Sequence, residues 1–231
     1  MRLKTEEKSR DRANQAASVV SRPEPPGNRD MGEEEALALI KESNSGAEIL
    51  AAIARSGIAQ KSRKLQFALL VHPRAPRHVL FPLLRGMFTF DLVKVALTPL
   101  VAADLKRAAE EQILVRLESL TLGERISLAR RASARVVAGL LGDSDARVLS
   151  AALGNSRLRE TSLTTALTRR NAQPILFEII SAHPIWSQNR ELQILLLRSE
   201  NTPMDAARRL AKHFSPQFLD EILPESRRSG I

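Results

Sequence analysis

The chain has 231 residues, 43% of them apolar, and carries 35 lysines and arginines against 26 acids, a formal charge of +9. That length can bury a core as one large domain or two small ones. The absence of cysteine excludes a disulfide scaffold, thiol chemistry and thiolate-bound zinc or iron–sulfur centres, and 3% aromatic content argues against single-strand stacking platforms and aromatic ligand cages.

Residues 1–31 hold few large apolar side chains and include the turn-rich run Arg22-Pro23-Glu24-Pro25-Pro26-Gly27-Asn28. Such a segment cannot offset its ordering entropy by burial, so it reads as disordered, with at most a transient helix over 4–20. Glu6, Glu7 and Asp11 stand where a signal peptide needs an apolar segment, and they also count against a transit peptide. No stretch reaches the ~20 apolar residues of a membrane span. A soluble, cytoplasmic protein is the expectation. From Gly32 the texture changes. Glu33-Glu34-Glu35 supplies negative charge to a helix N-terminus ahead of Ala36–Ile40. Ser43-Asn44-Ser45 ends that helix and can cap the next, Ala47–Ala54, which Gly57 closes. No segment alternates apolar and polar residues over strand length.

Repetition is the informative feature beyond residue 60. Five segments share an apolar helix, a short turn and a second apolar helix. They centre on Leu65–Pro76, Leu92–Pro99, Ile126–Ser133, Val148–Ser156 and Leu192–Pro203, with a related turn at Ala182-His183-Pro184. With turns at 72, 98, 131, 155 and 199 the spacing is uneven, and the last interval holds an extra helix. First helices of about two turns are marginal alone and need neighbours to pack on, which is the logic of a solenoid. Pro76 and Pro203 fall where second helices begin, a position where a missing N–H costs least, and Pro99 falls in the turn. The acidic triplet and the tail Pro224-Glu225-Ser226-Arg227-Arg228 read as polar caps on the two ends.

The pattern resembles the HEAT-like and leucine-rich-repeat-variant families of α-solenoids. Leu197-Arg198-Ser199-Glu200-Asn201-Thr202-Pro203 with Ala206-Ala207-Arg208-Arg209-Leu210-Ala211, and Val71-His72-Pro73-Arg74-Ala75-Pro76 with Val79-Leu80, carry the resemblance. It covers roughly residues 60–213 at the level of architecture. It implies an all-α, right-handed superhelical solenoid of short antiparallel helix pairs over 32–223, followed by a polar tail at 224–231. It implies a binding surface and no reaction.

Arrangements that carry chemistry are absent from the sequence: there is no phosphate loop, no nucleophile elbow and no histidine pair at metal spacing. His72 and His183 sit in equivalent His-Pro turns, where a structural role is more economical than ligation. Glu110 and Glu111 diverge by about 100° on a helix, and Asp143 and Asp145 read as helix caps. Trp186, the one tryptophan, reads as a packing anchor. An enzyme in the style of helical-repeat DNA glycosylases would need Trp186 beside an aspartate on a concave face. No catalytic residue, cofactor or metal is expected.

Positive charge is the stronger signal. From Ile49 to Phe90 runs a stretch of 42 residues without Asp or Glu, carrying Arg55, Lys61, Arg63, Lys64, Arg74, Arg77 and Arg85. Second helices add Arg107, Arg135, Arg159 and Arg208. Arg77, Arg135 and Arg159 fall four or five residues after their turns, and Arg107 and Arg208 both fall nine after theirs. In a HEAT-type solenoid such positions form a ladder on the concave face, able to track an acidic partner strip or a phosphate backbone. Interleaved Glu110, Glu111, Glu118, Glu160 and Asp205 oppose this with a scattered, solvated face. The leading expectation is a non-enzymatic scaffold or adaptor that binds a protein through Lys61, Arg63, Lys64, Arg74, Arg77, Arg85, Arg107, Arg135, Arg159 and Arg208. Sequence-nonspecific nucleic-acid binding by the same residues is the alternative, and the oligomeric state stays open.

Overall fold

A computed structural model describes residues 31–42, 44–228 and 230. The segment expected to be disordered therefore lies outside the described residues, except Met31, which packs against the core. Sixteen α-helices and no strand occur among the described residues. They are α1 (Glu33–Lys41), α2 (Ala47–Arg55), α3 (Gly57–Lys61), α4 (Arg63–Val71), α5 (Arg77–Gly86), α6 (Thr89–Leu97), α7 (Ala103–Arg116), α8 (Leu122–Arg131), α9 (Ala134–Leu140), α10 (Ala146–Leu153), α11 (Glu160–Leu167), α12 (Pro174–Ala182), α13 (Arg190–Arg198), α14 (Met204–Ala211), α15 (Pro216–Ile222) and α16 (Glu225–Arg228). Single 3₁₀ turns follow α7 (Leu117–Ser119) and precede α13 (Trp186–Gln188).

Local chemistry places several of these boundaries. Ser62, Asn189 and Ser215 accept the third helical N–H of α4, α13 and α15, and Thr121 with Glu124 forms a reciprocal capping box on α8. Pro174 and Pro216 open α12 and α15 at the first helical position. Pro76 and Pro203 are N-cap residues, one position earlier than the start of α5 and α14. Two expectations change here. Gly57 opens a helix instead of closing one, because Ser56 turns its side chain forward to cap α3. Ser43 lies outside the described residues, and Ser45 does not cap α2: it is buried and donates back to the Leu39 carbonyl, and Gly46 holds the N-cap without a side-chain bond.

Every substantial helix–helix contact joins helices no more than three apart in the chain. Contacts between alternate helices sort them into two rows: α1, α4, α6, α8, α10, α12 and α14 in one, and α2, α5, α7, α9, α11, α13 and α15 in the other, with α3 bridging α2 and α4. One apolar cluster runs between them from Ala36 to Leu223. The fifth repeated segment is out of step. The first helices α4, α6, α8 and α10 lie in the first row, but α13 lies in the second, because both α11 and α12 intervene after α10.

The tail is more than a polar cap. Arg227 is only 4% exposed and donates Nη2 to the Thr202 carbonyl at 2.5 Å. Burial lowers its pKa from the ordinary guanidinium value, with Glu200 opposing. Ser226 donates to Glu200 at 2.8 Å and Arg208 Nε to the Gly230 carbonyl at 2.8 Å. Together they fasten the tail over α14 and the turn before it.

A candidate basic interaction surface

All ten basic residues singled out from the sequence are solvent-exposed. The structure distributes them over both rows. Arg77 and Arg85 on α5, Arg107 on α7, Arg135 on α9 and Arg159 at the N-cap of α11 belong to the second row; Arg63 and Lys64 on α4 and Arg208 on α14 belong to the first. Lys61 ends α3 and Arg74 lies in the turn between α4 and α5. Arg208 is thus outside the ladder that sequence spacing suggested, and its charge is engaged by Asp205 at 3.7 Å and by the tail. Arg63 pairs with Asp91 at 3.3 Å and lies 4.7 Å over the Phe88 ring. Arg77 joins Asp104 at 2.9 Å, linking α5 to α7. Among the described residues no carboxylate pairs with Lys61, Lys64, Arg74, Arg85, Arg107, Arg135 or Arg159.

A groove of about 610 Å³ opens between α2, α3 and α5. Ala54, Arg55, Gln60, Gln66, His78, Val79, Pro82, Leu83 and Gly86 line it. Every one of these comes from the acid-free stretch, so among the described residues no carboxylate lines the groove. Ala54, Val79 and Leu83, all buried, form an apolar floor. At the mouth Arg55 Nη2 lies 3.2 Å from His78 Nε2. A guanidinium can only donate, so this imidazole nitrogen accepts. Beneath them Gln66, 6% exposed, donates Nε2 to the Gln60 carbonyl at 2.9 Å. Pro82, inside α5, has no N–H to offer the His78 carbonyl four residues back.

Two further grooves lie between first-row helices. One, about 380 Å³, is lined by Arg63, Lys64, Phe67, Asp91 and Lys94, with Lys94 placed 4.4 Å over the Phe67 ring. The other, about 570 Å³, is lined by Arg130, Arg147 and Ser150. Lys94, Arg130, Arg147 and Arg55 were absent from the sequence-derived set of ten. The acid-free stretch already marked Arg55 and the adjacent Arg130-Arg131 pair was a signal available for Arg130, whereas Lys94 and Arg147 depend on which helices become neighbours.

The residues weighed for chemistry have structural partners. His72 Nδ1 accepts the Arg74 N–H, and His183 Nδ1 accepts those of Ile185 and Trp186; burial lowers the His183 pKa. Trp186 is half-buried against the core and donates Nε1 to the Leu153 carbonyl at 3.0 Å, closing the end of α10. Asp145 caps α10, and its bonds with Arg147 hold its carboxyl at about 2. Asp143 accepts the Asp145 N–H and pairs with Arg125 at 3.4 Å. Glu110 accepts from Ser133 on the neighbouring turn. Among the described residues no group of three or more histidine and acidic side chains could hold a metal ion. No helix there is long and apolar enough to cross a membrane.

The chain matches no family model, no curated protein and no solved structure. Fold and function therefore rest on the packing and the surface chemistry described above.

Proposed function

We propose that this chain is a non-enzymatic scaffold: an α-solenoid, built from antiparallel helix pairs in the manner of HEAT-like repeats, that binds an acidic partner protein through its basic second-row face. The observation that carries the reading is the set of exposed cations without a carboxylate partner among the described residues: Arg85, Arg107, Arg135 and Arg159 on second-row elements, together with Lys61, Lys64 and Arg74. Unpaired surface charge steers encounter and selects partners of opposite sign. The contiguous two-row core supplies a rigid support for it.

The test is binding of a labelled peptide of alternating glutamate and leucine, with labelled duplex DNA as comparator, at about 50 and 200 mM salt. Peptide binding that weakens in the double variant Arg135→Glu, Arg159→Glu supports the scaffold reading. Tight duplex binding with a log–log salt slope of about −0.9 per phosphate contacted, and no peptide binding, replaces it with nucleic-acid recognition.

A further inference from the structure

We infer that the groove between α2, α3 and α5 is a docking pocket for an extended acidic segment of a partner protein, taking a carboxylate side chain on Arg55 and a neighbouring aliphatic side chain on the Ala54, Val79 and Leu83 floor. This rests on the scaffold reading and gives it a specific anchor point. The charge of the groove selects the occupant. Its nine lining residues include one guanidinium and no acid, and Lys61 and Arg85 stand next in sequence to lining residues. A carboxylate entering there meets no like charge, and Arg55 can offer it planar paired donors once released from His78.

The polar groups of the groove are those a peptide backbone satisfies. The Gln66 side chain is more than nine-tenths buried, and its Nε2 is committed to the Gln60 carbonyl. The remaining half of that amide, Oε1, is an acceptor on a residue that lines the groove. The His78 carbonyl is a second acceptor, which Pro82 leaves without its helical donor. Successive N–H groups of an extended chain can donate to both, and main-chain bonds with alternating side-chain pockets are a recurrent mode of peptide capture. A volume of about 610 Å³ falls within the range of formed ligand sites. The later copy of the same helix has the equivalent buried amide, Gln193, donating to the Ser187 carbonyl at 2.8 Å. Gln193 lines none of the grooves described above, so the buried glutamine alone does not create the pocket. The groove arises from α2 and α5.

The decisive variant is Gly86→Trp. Gly86 lines the groove and a Cβ added there meets nothing within 4 Å, so a bulky side chain can be attached at the groove edge, with the thermal melt checking that the fold is kept. The experiment measures binding of the Glu-Leu peptide, and of a Gln-Leu version, to the full chain carrying Gly86→Trp, Arg55→Gln or the Arg135→Glu, Arg159→Glu pair, with thermal melts as control. The expected result is an unchanged melt for Gly86→Trp, a loss of affinity of about tenfold or more for Gly86→Trp and Arg55→Gln, and the same loss when the peptide is Gln-Leu. Binding that survives in Gly86→Trp and Arg55→Gln but falls in the double variant overturns the pocket and leaves the scaffold reading standing. Binding unaffected by every variant, or absent from the unsubstituted chain, overturns both. Competition by duplex DNA that depends equally on Arg55 and Gly86 also overturns the pocket, by giving it to nucleic acid.

Discussion

Residues 62–86 and 189–213 are two copies of one design, and they differ in ways that separate folding from recognition. Ser62 and Asn189 cap the first helix. Leu65, Gln66, Leu69 and Leu70 are buried in the first copy, and Leu192, Gln193, Leu196 and Leu197 at the same spacing in the second. Both glutamines bond a carbonyl six residues back. His72 and Ser199 accept the N–H two residues on, and Ala75 and Thr202 are buried ahead of Pro76 and Pro203. Val79, Leu80, Leu83 and Leu84 then match Ala206, Ala207, Leu210 and Ala211 in burial. The exposed positions diverge. Lys64 corresponds to Glu191, His78 to Asp205 and Pro82 to Arg209. The copies also occupy opposite rows, α4 with α6 and α13 with α11. One set of buried residues serves either row, so row membership and surface chemistry are set elsewhere.

The largest test of that equivalence is truncation of the core leucines. Leu69→Ala and Leu196→Ala, both at 0% exposure, should each cost about 2–5 kcal/mol, read from denaturant titration. Amide exchange should rise first within the substituted copy, since neighbouring repeats support one another locally. A loss in one copy only would break the comparison.

Replacing the buried amides sharpens it. Gln66→Leu and Gln193→Leu each strip a carbonyl of its donor, at a cost of about 1–3 kcal/mol. Only Gln66→Leu should also weaken the acidic peptide in a binding titration. Removing the caps is milder. Ser62→Ala and Asn189→Ala should each cost about 1 kcal/mol in thermal or denaturant unfolding. The Ser62 change should also loosen α1, because that hydroxyl donates to Glu33 at 2.8 Å.

The smallest effect concerns charge. A hydrogen bond and repulsion from Glu160, the first residue of α11, raise the Glu191 pKa above the ordinary glutamate value. A folded carboxyl with a raised pKa favours the native state when protonated, so this contribution is lost as pH rises through the folded value. Glu191→Lys, which installs the residue type of the first copy, should raise the melting temperature slightly at neutral pH. The gain should shrink as pH falls into the carboxylate range.

Much of the first copy was legible because its signals are short-range. Leucine spacing, Pro76 and Pro203 marked the helices and turns, and the His-Pro turns carried the histidine roles that the structure shows. The parity slip at α13 was not legible, since counting turns does not reveal that α12 is a full member of the first row. The pocket was missed for a related reason. Arg55 and His78 are 23 residues apart, and Gln66 reads as an ordinary polar residue in a leucine run until its partner, the Gln60 carbonyl, is placed.

What the sequence by itself determined is an all-helical chain with its buried positions, and a stretch of 42 residues that no carboxylate can neutralise from within. Helical periodicity, caps and proline act over a few residues, so they can be read without knowing what packs where. Only the tertiary structure decided which row each helix joins, that Asp91 and Asp104 from outside the stretch reach Arg63 and Arg77, and that Arg55, Gln66 and His78 share one groove. Those outcomes depend on packing between helices whose exposed residues carry no local mark of their neighbours.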